Sequence, residues 1–257
     1  AGASPQLRNA ATVGGNLLQR TRCAYFYDPA SACNKRVPGA GCDARDGLNS
    51  NHAVLGFSDA CIATQPSDFC VALAALDAVV EIAGREGQRE VALTDFHRLP
   101  GDTPHQETRL APGELIVGVR LPKEAAAFAW HSRYLKVRER TSYAFALVSA
   151  AAALKIDDNG TITDARIAMG SIAAKPWRAY DAEAGLIGSQ IGIEAFAAAG
   201  RAALAGAAPS GDNAYKIPLA QNAVARVLAR AAAGTPRELP ALPGAPFATA
   251  TGELAHV

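Results

Sequence analysis

The sequence predicts an α+β protein of two successive units, and three observations carry that expectation. Short apolar runs of period two, punctuated by Gly, Asn and Asp, mark antiparallel strands in both halves of the chain. Segments of helical period lie among them, the clearest being Asn222 to Ala233, with Val224, Val227, Leu228 and Ala231 on one face. Residues 1–70 instead hold Gly, Cys, Asn and Asp with little periodicity, as ordered loops around short helices do. The chain has 257 residues, 49% hydrophobic and 19% charged, which suffices for a sizeable core and excludes disorder.

Taken in order, Asp68 to Ile82 begins at helical spacing and turns β-like, with Ala78-Val-Val-Glu-Ile-Ala as a strand. Gly84 to Gly87 is a turn, Glu90-Val-Ala-Leu the partner strand, and Leu93 to Phe96 a further short element. Glu114 to Leu121 alternates as a strand and Pro122 ends it. Phe128 to Val137 also alternates. Ala144 to Ile156 is long, small and apolar, consistent with a buried strand or helix. Asp157-Asp-Asn-Gly160 predicts a hairpin turn, because Asn-Gly supplies the positive φ angles it needs, and Ile162 to Met169 is the returning strand. Glu183 to Ile187 and Ile193 to Leu204 read as helices. The unit boundary falls near residue 126. Pro236, Pro240, Pro243 and Pro246 predict an extended tail over 236–257.

The formal net charge is +1, without the basic excess of a nucleic-acid binder or of an electrostatic membrane-surface protein. The longest uncharged apolar stretch, Tyr143 to Leu154, is too short to span a membrane, which takes ~20 residues. No G-x-S-x-G elbow, G-x-G-x-x-G fingerprint or phosphate-binding G-x-x-x-x-G-K-[ST] occurs. The five histidines lack metal-ligand spacing and read as surface or loop residues. Arg133, Lys136, Arg138 and Arg140 read most simply as a solvated strand face, or as cations near an anionic cofactor. In Asn9-Ala-Ala-Thr-Val-Gly-Gly-Asn16, paired glycines with flanking Thr and Asn offer N–H groups to a phosphate or a flavin edge; the same residues also make an ordinary turn.

All five cysteines precede residue 71. An odd number in an apolar-rich chain ranks metal or cluster binding ahead of disulfides. The spacing C-x9-C-x8-C-x18-C of Cys23, Cys33, Cys42 and Cys61 matches neither a ferredoxin run nor the paired knuckles usual for zinc. Cys70, among Phe69, Val71 and Leu73, reads as a buried small apolar side chain.

Three stretches together resemble the FAD-binding subunit of the molybdenum hydroxylase (xanthine dehydrogenase) family: Ser4-Pro-Gln-Leu-Arg-Asn-Ala-Ala-Thr-Val-Gly-Gly-Asn-Leu, Pro66-Ser-Asp-Phe-Cys-Val-Ala-Leu-Ala-Ala-Leu-Asp-Ala, and Gly113-Glu-Leu-Ile-Val to Lys136. The cysteine-bearing stretch from Arg20-Thr-Arg-Cys-Ala-Tyr-Phe-Tyr-Asp to Cys61-Ile-Ala-Thr is similar to the [4Fe–4S] insertion of bacterial periplasmic aldehyde oxidoreductase medium subunits. The resemblance implies the second subdomain of an FAD-binding domain over 1–126, with the iron–sulfur insertion at about 20–62. An α+β C-terminal domain of CO dehydrogenase flavoprotein type follows over 127–235, carrying Asp164-Ala-Arg-Ile-Ala-Met-Gly and Lys175-Pro-Trp-Arg-Ala.

By the same resemblance Thr12, Val13, Gly14, Gly15 and Asn16 line the flavin and its diphosphate. Asp68 makes a polar FAD contact, Ile116 packs against the cofactor, and Lys136 sits near the flavin ring. Arg140 and Tyr143 occupy the loop beside it. Cys23, Cys33, Cys42 and Cys61 hold the cluster. The only methionine is Met169, and nothing matches the family's preceding glycine-rich FAD subdomain, so a larger N-terminal piece is expected to be missing from the chain or to exist as another chain. The implied function is electron transfer within a molybdenum-dependent aldehyde oxidoreductase. A large molybdopterin subunit and a small [2Fe–2S] subunit are the expected partners, at a periplasmic address, with the cytoplasm as alternative. The competing expectations are a structural subunit whose cluster only staples loops, without FAD, and a zinc-bound scaffold.

Overall fold

The computed structural model describes residues 4–140 and 143–236. The N-terminal unit opens with three short helices: α1 (Pro5–Ala10), α2 (Val13–Leu17) and α3 (Ala24–Tyr27). Turns and isolated bridges carry the cysteine-rich stretch to α4 (Asp68–Ala75), which Ser67 caps by accepting from the Cys70 N–H. Strands β1 (Val79–Gly84) and β2 (Gly87–Ala92), helix α5 (Leu93–Phe96) and strand β3 (Leu115–Arg120) follow, forming an antiparallel sheet of order β2-β1-β3. A 3-10 helix, Lys123–His131, leads into the second unit. Its strands β4 (Ser132–Val137), β5 (Val148–Ile156), β6 (Ile162–Gly170) and β7 (Trp177–Arg178) pair antiparallel in that order. Helices α6 (Tyr180–Leu186), α7 (Ile193–Ala203) and α8 (Lys216–Ala232) complete it.

The second sheet is covered on both faces, which explains the featureless apolar run of β5. Ala150, Ala152 and Leu154 pack with Val224, Val227 and Leu228 of α8 in one core. Ala151, one residue out of phase, joins Val71, Ala74 and Ala75 of α4 in the other. A strand buried on both sides loses the alternation that would identify it. Close approach of α4 depends on Gly170, where a Cβ would lie 2.5 Å from both Val71 Cγ2 and Ser149 Oγ.

Several boundaries differ from the sequence expectation. Phe128 belongs to the 3-10 helix rather than to a strand; the alanines after Pro122 favour a helical turn, and Phe128 is buried beneath the cations of Lys155 and Arg166. Helix α8 begins at Lys216, ahead of Asn222, because Pro218 is tolerated in a first turn. Helix α6 begins at Tyr180, and β2 reaches back to Gly87. Beyond Pro236, the tail expected over 236–257 lies outside the described residues.

An ionic lock ties the two units together. Arg178 of β7 donates to both carboxylate oxygens of Glu183, to the Ala74 carbonyl at 2.9 Å and to Asp77 at the end of α4. Glu183 Oε1 also accepts from the Ile167 N–H at 2.6 Å. Both side chains of the Arg178–Glu183 pair are buried. Removing one member strands the other charge away from water, so Arg178→Ala is expected to destabilise the protein by about 3–5 kcal/mol. Equilibrium denaturation followed by far-ultraviolet circular dichroism measures that loss; a change within ~0.5 kcal/mol, as for an ordinary surface substitution, would show that the lock carries nothing.

Candidate functional site

A cleft of about 610 Å³ opens where the two units meet. Leu7, Thr12, Val13 and Asn16 line one side, Asp68 and Phe69 at the start of α4 the floor, and Lys136 of β4 with Tyr143 and Phe145 the other side. Its apolar walls are open to solvent, with Val13 50% and Phe145 51% exposed. Arg22 lies over the Phe145 ring at 4.8 Å from its centroid.

The α2 end of the cleft is built by local rules. Thr12 is the N-cap, its Oγ1 accepting from the Gly15 N–H at 3.0 Å, and Asn16 Nδ2 donates to the Thr12 carbonyl at 3.0 Å. A Cβ at Gly15 would stand 2.9 Å from Thr12 Oγ1, so this cap needs glycine there. Gly14 rests on Ile116, whose Cβ lies 3.8 Å from where a Gly14 Cβ would be. Ile116 therefore packs behind α2 and does not line the cleft.

Lys136 is only 7% exposed in its side chain, not part of a solvated strand face. Its Nζ donates to Asp68 Oδ2 at 2.7 Å, while Tyr134 OH donates to Asp68 Oδ1 at 2.6 Å. Both carboxylate oxygens are thus engaged within the protein, and Asp68 acts first to hold Lys136 in place. Burial and the neighbouring Asp68 charge push the Tyr134 phenol up, so it remains a donor. Beyond Lys136, Arg140 donates to the carbonyl of Tyr143, which adopts φ +51°.

Cys23, Cys33, Cys42 and Cys61 line one small cavity, together with Thr21, Tyr25, Phe26 and Lys35. Cys33 and Cys42 face each other across an isolated antiparallel bridge, and Cys61 forms a second with Ser58. Polar side chains fix the loops: Arg36 Nη1 donates to the Tyr25 and Phe26 carbonyls, and Asn34 Nδ2 to the Ala60 carbonyl. Glycine is required at Gly47, where a Cβ would sit 2.0 Å from Tyr25 OH, and at Gly41, with φ +104°. None of the cysteines is in a disulfide. Burial pushes the Cys23 thiol up and Cys61 up to about 11. Among the described residues, no three His, Cys, Asp or Glu side chains gather around one point as the ligands of a single metal ion would.

Cys70 stands apart, fully buried, its Sγ donating to the Asn16 carbonyl at 3.7 Å, and burial pushes its thiol up to about 11. Two histidines expected at the surface are buried. His97 Nε2 donates to the Leu17 carbonyl at 2.8 Å, and His52 Nε2 lies 3.2 Å from Cys23 Sγ. Burial, reinforced by the charge of Lys216, pushes the His52 ring below its usual range. Sequence spacing carries no signal for either contact, since the His52–Cys23 pair is separated by 29 residues.

The cleft and the cysteine cavity share one short segment. Arg22 lines the first and Cys23 the second, although their Cα atoms are only about 3.8 Å apart.

Comparison with known proteins gives a consistent result. Residues 1–124 match the model of the FAD binding domain in molybdopterin dehydrogenase, and residues 133–231 that of the CO dehydrogenase flavoprotein C-terminal domain. The aldehyde oxidoreductase FAD-binding subunit PaoB of Escherichia coli (strain K12) is 52% identical over 235 residues, covering 91% of this chain and 69% of that protein. Among solved structures, quinoline 2-oxidoreductase from Pseudomonas putida 86 aligns with TM-score 0.56 and 29% identity, over 73% of this chain and 60% of that one. Carbon monoxide dehydrogenase from Hydrogenophaga pseudoflava aligns with TM-score 0.60 and 27% identity, over 90% and 64%. The chain thus spans less than two thirds of the length of either solved relative.

The α2 cap offers a direct check on the local architecture. Thr12→Ala and Gly15→Ala are each expected to cost about 1 kcal/mol. The double variant should cost little more than either, because both remove one cap. Urea unfolding of the four proteins closes the cycle, and full additivity would show that Gly15 is not there for Thr12.

Proposed function

The chain belongs to the FAD-binding subunits of the molybdenum hydroxylases, and from that premise we propose that it carries FAD and a [4Fe–4S] cluster as an electron-transfer subunit of an aldehyde oxidoreductase. The observation that supports this reading best is the placement of the cleft and the four-cysteine cavity on adjoining residues, Arg22 and Cys23. Electron-carrying chemistry is supplied by the two groups when bound, while aldehyde oxidation belongs to the molybdopterin centre of a large partner reached through a small [2Fe–2S] partner.

The chain's own residues bind, orient and exclude water. The cleft volume, about 610 Å³, suits an extended aromatic cofactor, and its apolar walls, Val13, Phe69 and Phe145, suit a planar ring. At the capped start of α2, N–H groups that no intrahelical carbonyl can accept suit a phosphate. Lys136, immobilised by Asp68, sets a fixed positive charge against an electron-rich ring.

Four cysteines lining one cavity, in a stretch that resembles the iron–sulfur insertion of aldehyde oxidoreductase medium subunits, support the cluster part of the reading. A cluster spreads them over its separate irons. The cavity between the cysteines is about 10 Å³ in this structure. Thiols raised by burial become thiolates only against a cationic centre, which links cluster assembly to proton release. The resemblance to periplasmic aldehyde oxidoreductases supports a periplasmic address, with export directed by a partner, and the cytoplasm is the alternative.

Visible spectroscopy of the anaerobically purified complex, before and after dithionite, tests the reading. Flavin bands over a broad bleachable shoulder are expected; a shoulder alone returns the structural-subunit alternative, and a colourless complex sinks both. Cys33→Ser and Cys61→Ser should lose iron and labile sulfide, whereas Cys70→Ala should retain them. Lys136→Met should weaken FAD retention about tenfold, the equivalent of one charge-assisted hydrogen bond, read by flavin release on dilution.

A further inference from the structure

We propose that a second cavity, bordering the segment that joins the cleft to the cysteine loops, is a binding site for a small carboxylate, and that Arg20 and Lys35 hold the anion. The site needs neither flavin nor cluster and does not depend on the reading above.

The cavity measures about 330 Å³, at the small end of the range for ligand pockets. Its walls come from residues 17–21, residues 63–65 and parts of 97–108, with Ala174 of the second unit beside them. The Gln65 N–H donates to the Ala173 carbonyl at 3.0 Å and His97 Nε2 to the Leu17 carbonyl at 2.8 Å, so these walls are tied to their neighbours. Gln19 lines both this cavity and the cleft, whereas Thr12, Asp68 and Lys136 line the cleft alone. Thr21, Lys35, Gln65 and His97 line the cavity and are 3%, 6%, 8% and 4% exposed. Packing alone does not require so many buried polar side chains around one space, because each is costly to bury without a polar neighbour. His97 Nδ1 has no hydrogen-bond partner, so the fold's own bonds leave part of this polarity over.

The charge of the lining is uneven. Arg20 and Lys35 are cations, and Glu107 is the one carboxylate among the lining residues. Lys35 Nζ donates to the Pro104 carbonyl at 3.0 Å and lies 3.3 Å from Glu107 Oε2, which leaves it a third N–H. Arg20 Nε pairs with Glu107 Oε1 at 2.5 Å, Nη2 reaches the Lys35 carbonyl at 3.4 Å, and the guanidinium lies over the Phe26 ring at 4.4 Å. Its Nη1 makes no hydrogen bond among the described residues. Glu107 therefore fixes both cations and neutralises one of them. What remains is one positive charge, with donors to spare on both side chains. A carboxylate, a monoanion with two acceptor oxygens, matches that surplus, and a phosphate dianion would exceed it. Leu17, Leu18, Ala63 and Ala174 complete the lining and suit a compact apolar body attached to the anion.

Amide nuclear magnetic resonance of the nitrogen-15-labelled full chain tests the site, with sodium benzoate as the probe. Saturable shifts are expected at residues 17–21, 63–65 and 105–108, and acetate, which lacks the apolar body, should bind more weakly. Arg20→Gln and Lys35→Met should each weaken benzoate binding about tenfold, the equivalent of one charge-assisted hydrogen bond. Lys136→Met, in the cleft, should leave it unchanged. Lys35 also lines the cysteine cavity, so if Lys35→Met fails to fold, Arg20→Gln decides, its side chain being 48% exposed. Absence of saturable shifts at these residues, or unchanged affinity in Arg20→Gln, overturns the proposal. Loss of binding in Lys136→Met does so too, because it places the probe in the cleft. Inorganic phosphate bound as tightly as benzoate, or acetate bound equally well, overturns the assignment to a carboxylate with an apolar body.

Discussion

Everything that converges on the cleft depends on how closely α4 can sit against the second sheet. Because Gly170 has no Cβ, Val71 packs directly onto β6, and the helix is then locked at its far end by Arg178, which binds the Ala74 carbonyl and Asp77. With its C-terminal end fixed, the N-terminal end of α4 delivers Asp68 to Tyr134 and Lys136 on β4. Two turns of helix thus turn a packing contact in the core into the placement of a charge in the cleft. Cys70 on the same helix donates to the Asn16 carbonyl, so α2 is registered against α4 as well.

Buried cations recur through this architecture, and each is matched by acceptors. Lys136 faces Asp68, Arg178 faces Glu183, and Lys35, 6% exposed, lies 3.3 Å from Glu107. Lys216 differs in having three carbonyl acceptors and no carboxylate, and burial draws its ammonium down to about 7. Carbonyls satisfy three N–H donors only if the group is an ammonium, so this arrangement itself works against loss of the proton. Buried charges of this kind are costly as sources of stability and effective as sources of geometry. Their locations agree with that division: each joins segments far apart in sequence, Lys136 at the cleft and Lys216 at the backbone of residues 51–52.

Much of the secondary structure was legible because its signals are local. The Asp157–Gly160 turn, the alternation of β3 and the amphipathic face of α8 each depend on residues within one element. So did the grouping of the four cysteines, since their crowding is visible without any fold. The ambiguity of β5 has a physical cause, the two cores it serves, which erase its period. Lys136 and His52 were misplaced at the surface for a related reason. Whether a basic or imidazole side chain meets solvent is decided by what packs over it, here Asp68 from 68 positions away and Lys216 from 164. The Thr12 motif was readable as a turn with donors, whereas the shielding of Ile116 behind α2 followed only from how β3 docks.

The segment from Asn16 to Cys23 is the element where these constraints meet. Its Asn16 carbonyl accepts from Cys70, its Leu17 carbonyl from His97, and Arg20 pairs with Glu107 at 2.5 Å. Thr21 Oγ1 then accepts from the Cys23 N–H, just before the first cysteine enters its cavity. A stretch so cross-linked has little freedom to change the separation between the cleft, which Arg22 lines, and the cavity, which Cys23 lines. Under the proposed reading this rigidity has a functional meaning. If aldehyde oxidation belongs to a partner subunit, as proposed, what this chain contributes is a fixed distance and fixed charges. Lys136 is the group placed to set a charge at the cleft, and both it and the cysteine loops are held from the opposite unit: Lys136 of the second sheet by Asp68 of α4, and the His52 carbonyl by Asn213 and Lys216. Neither unit alone would therefore define its site, and the fold is best understood as two halves that complete each other's electrostatics.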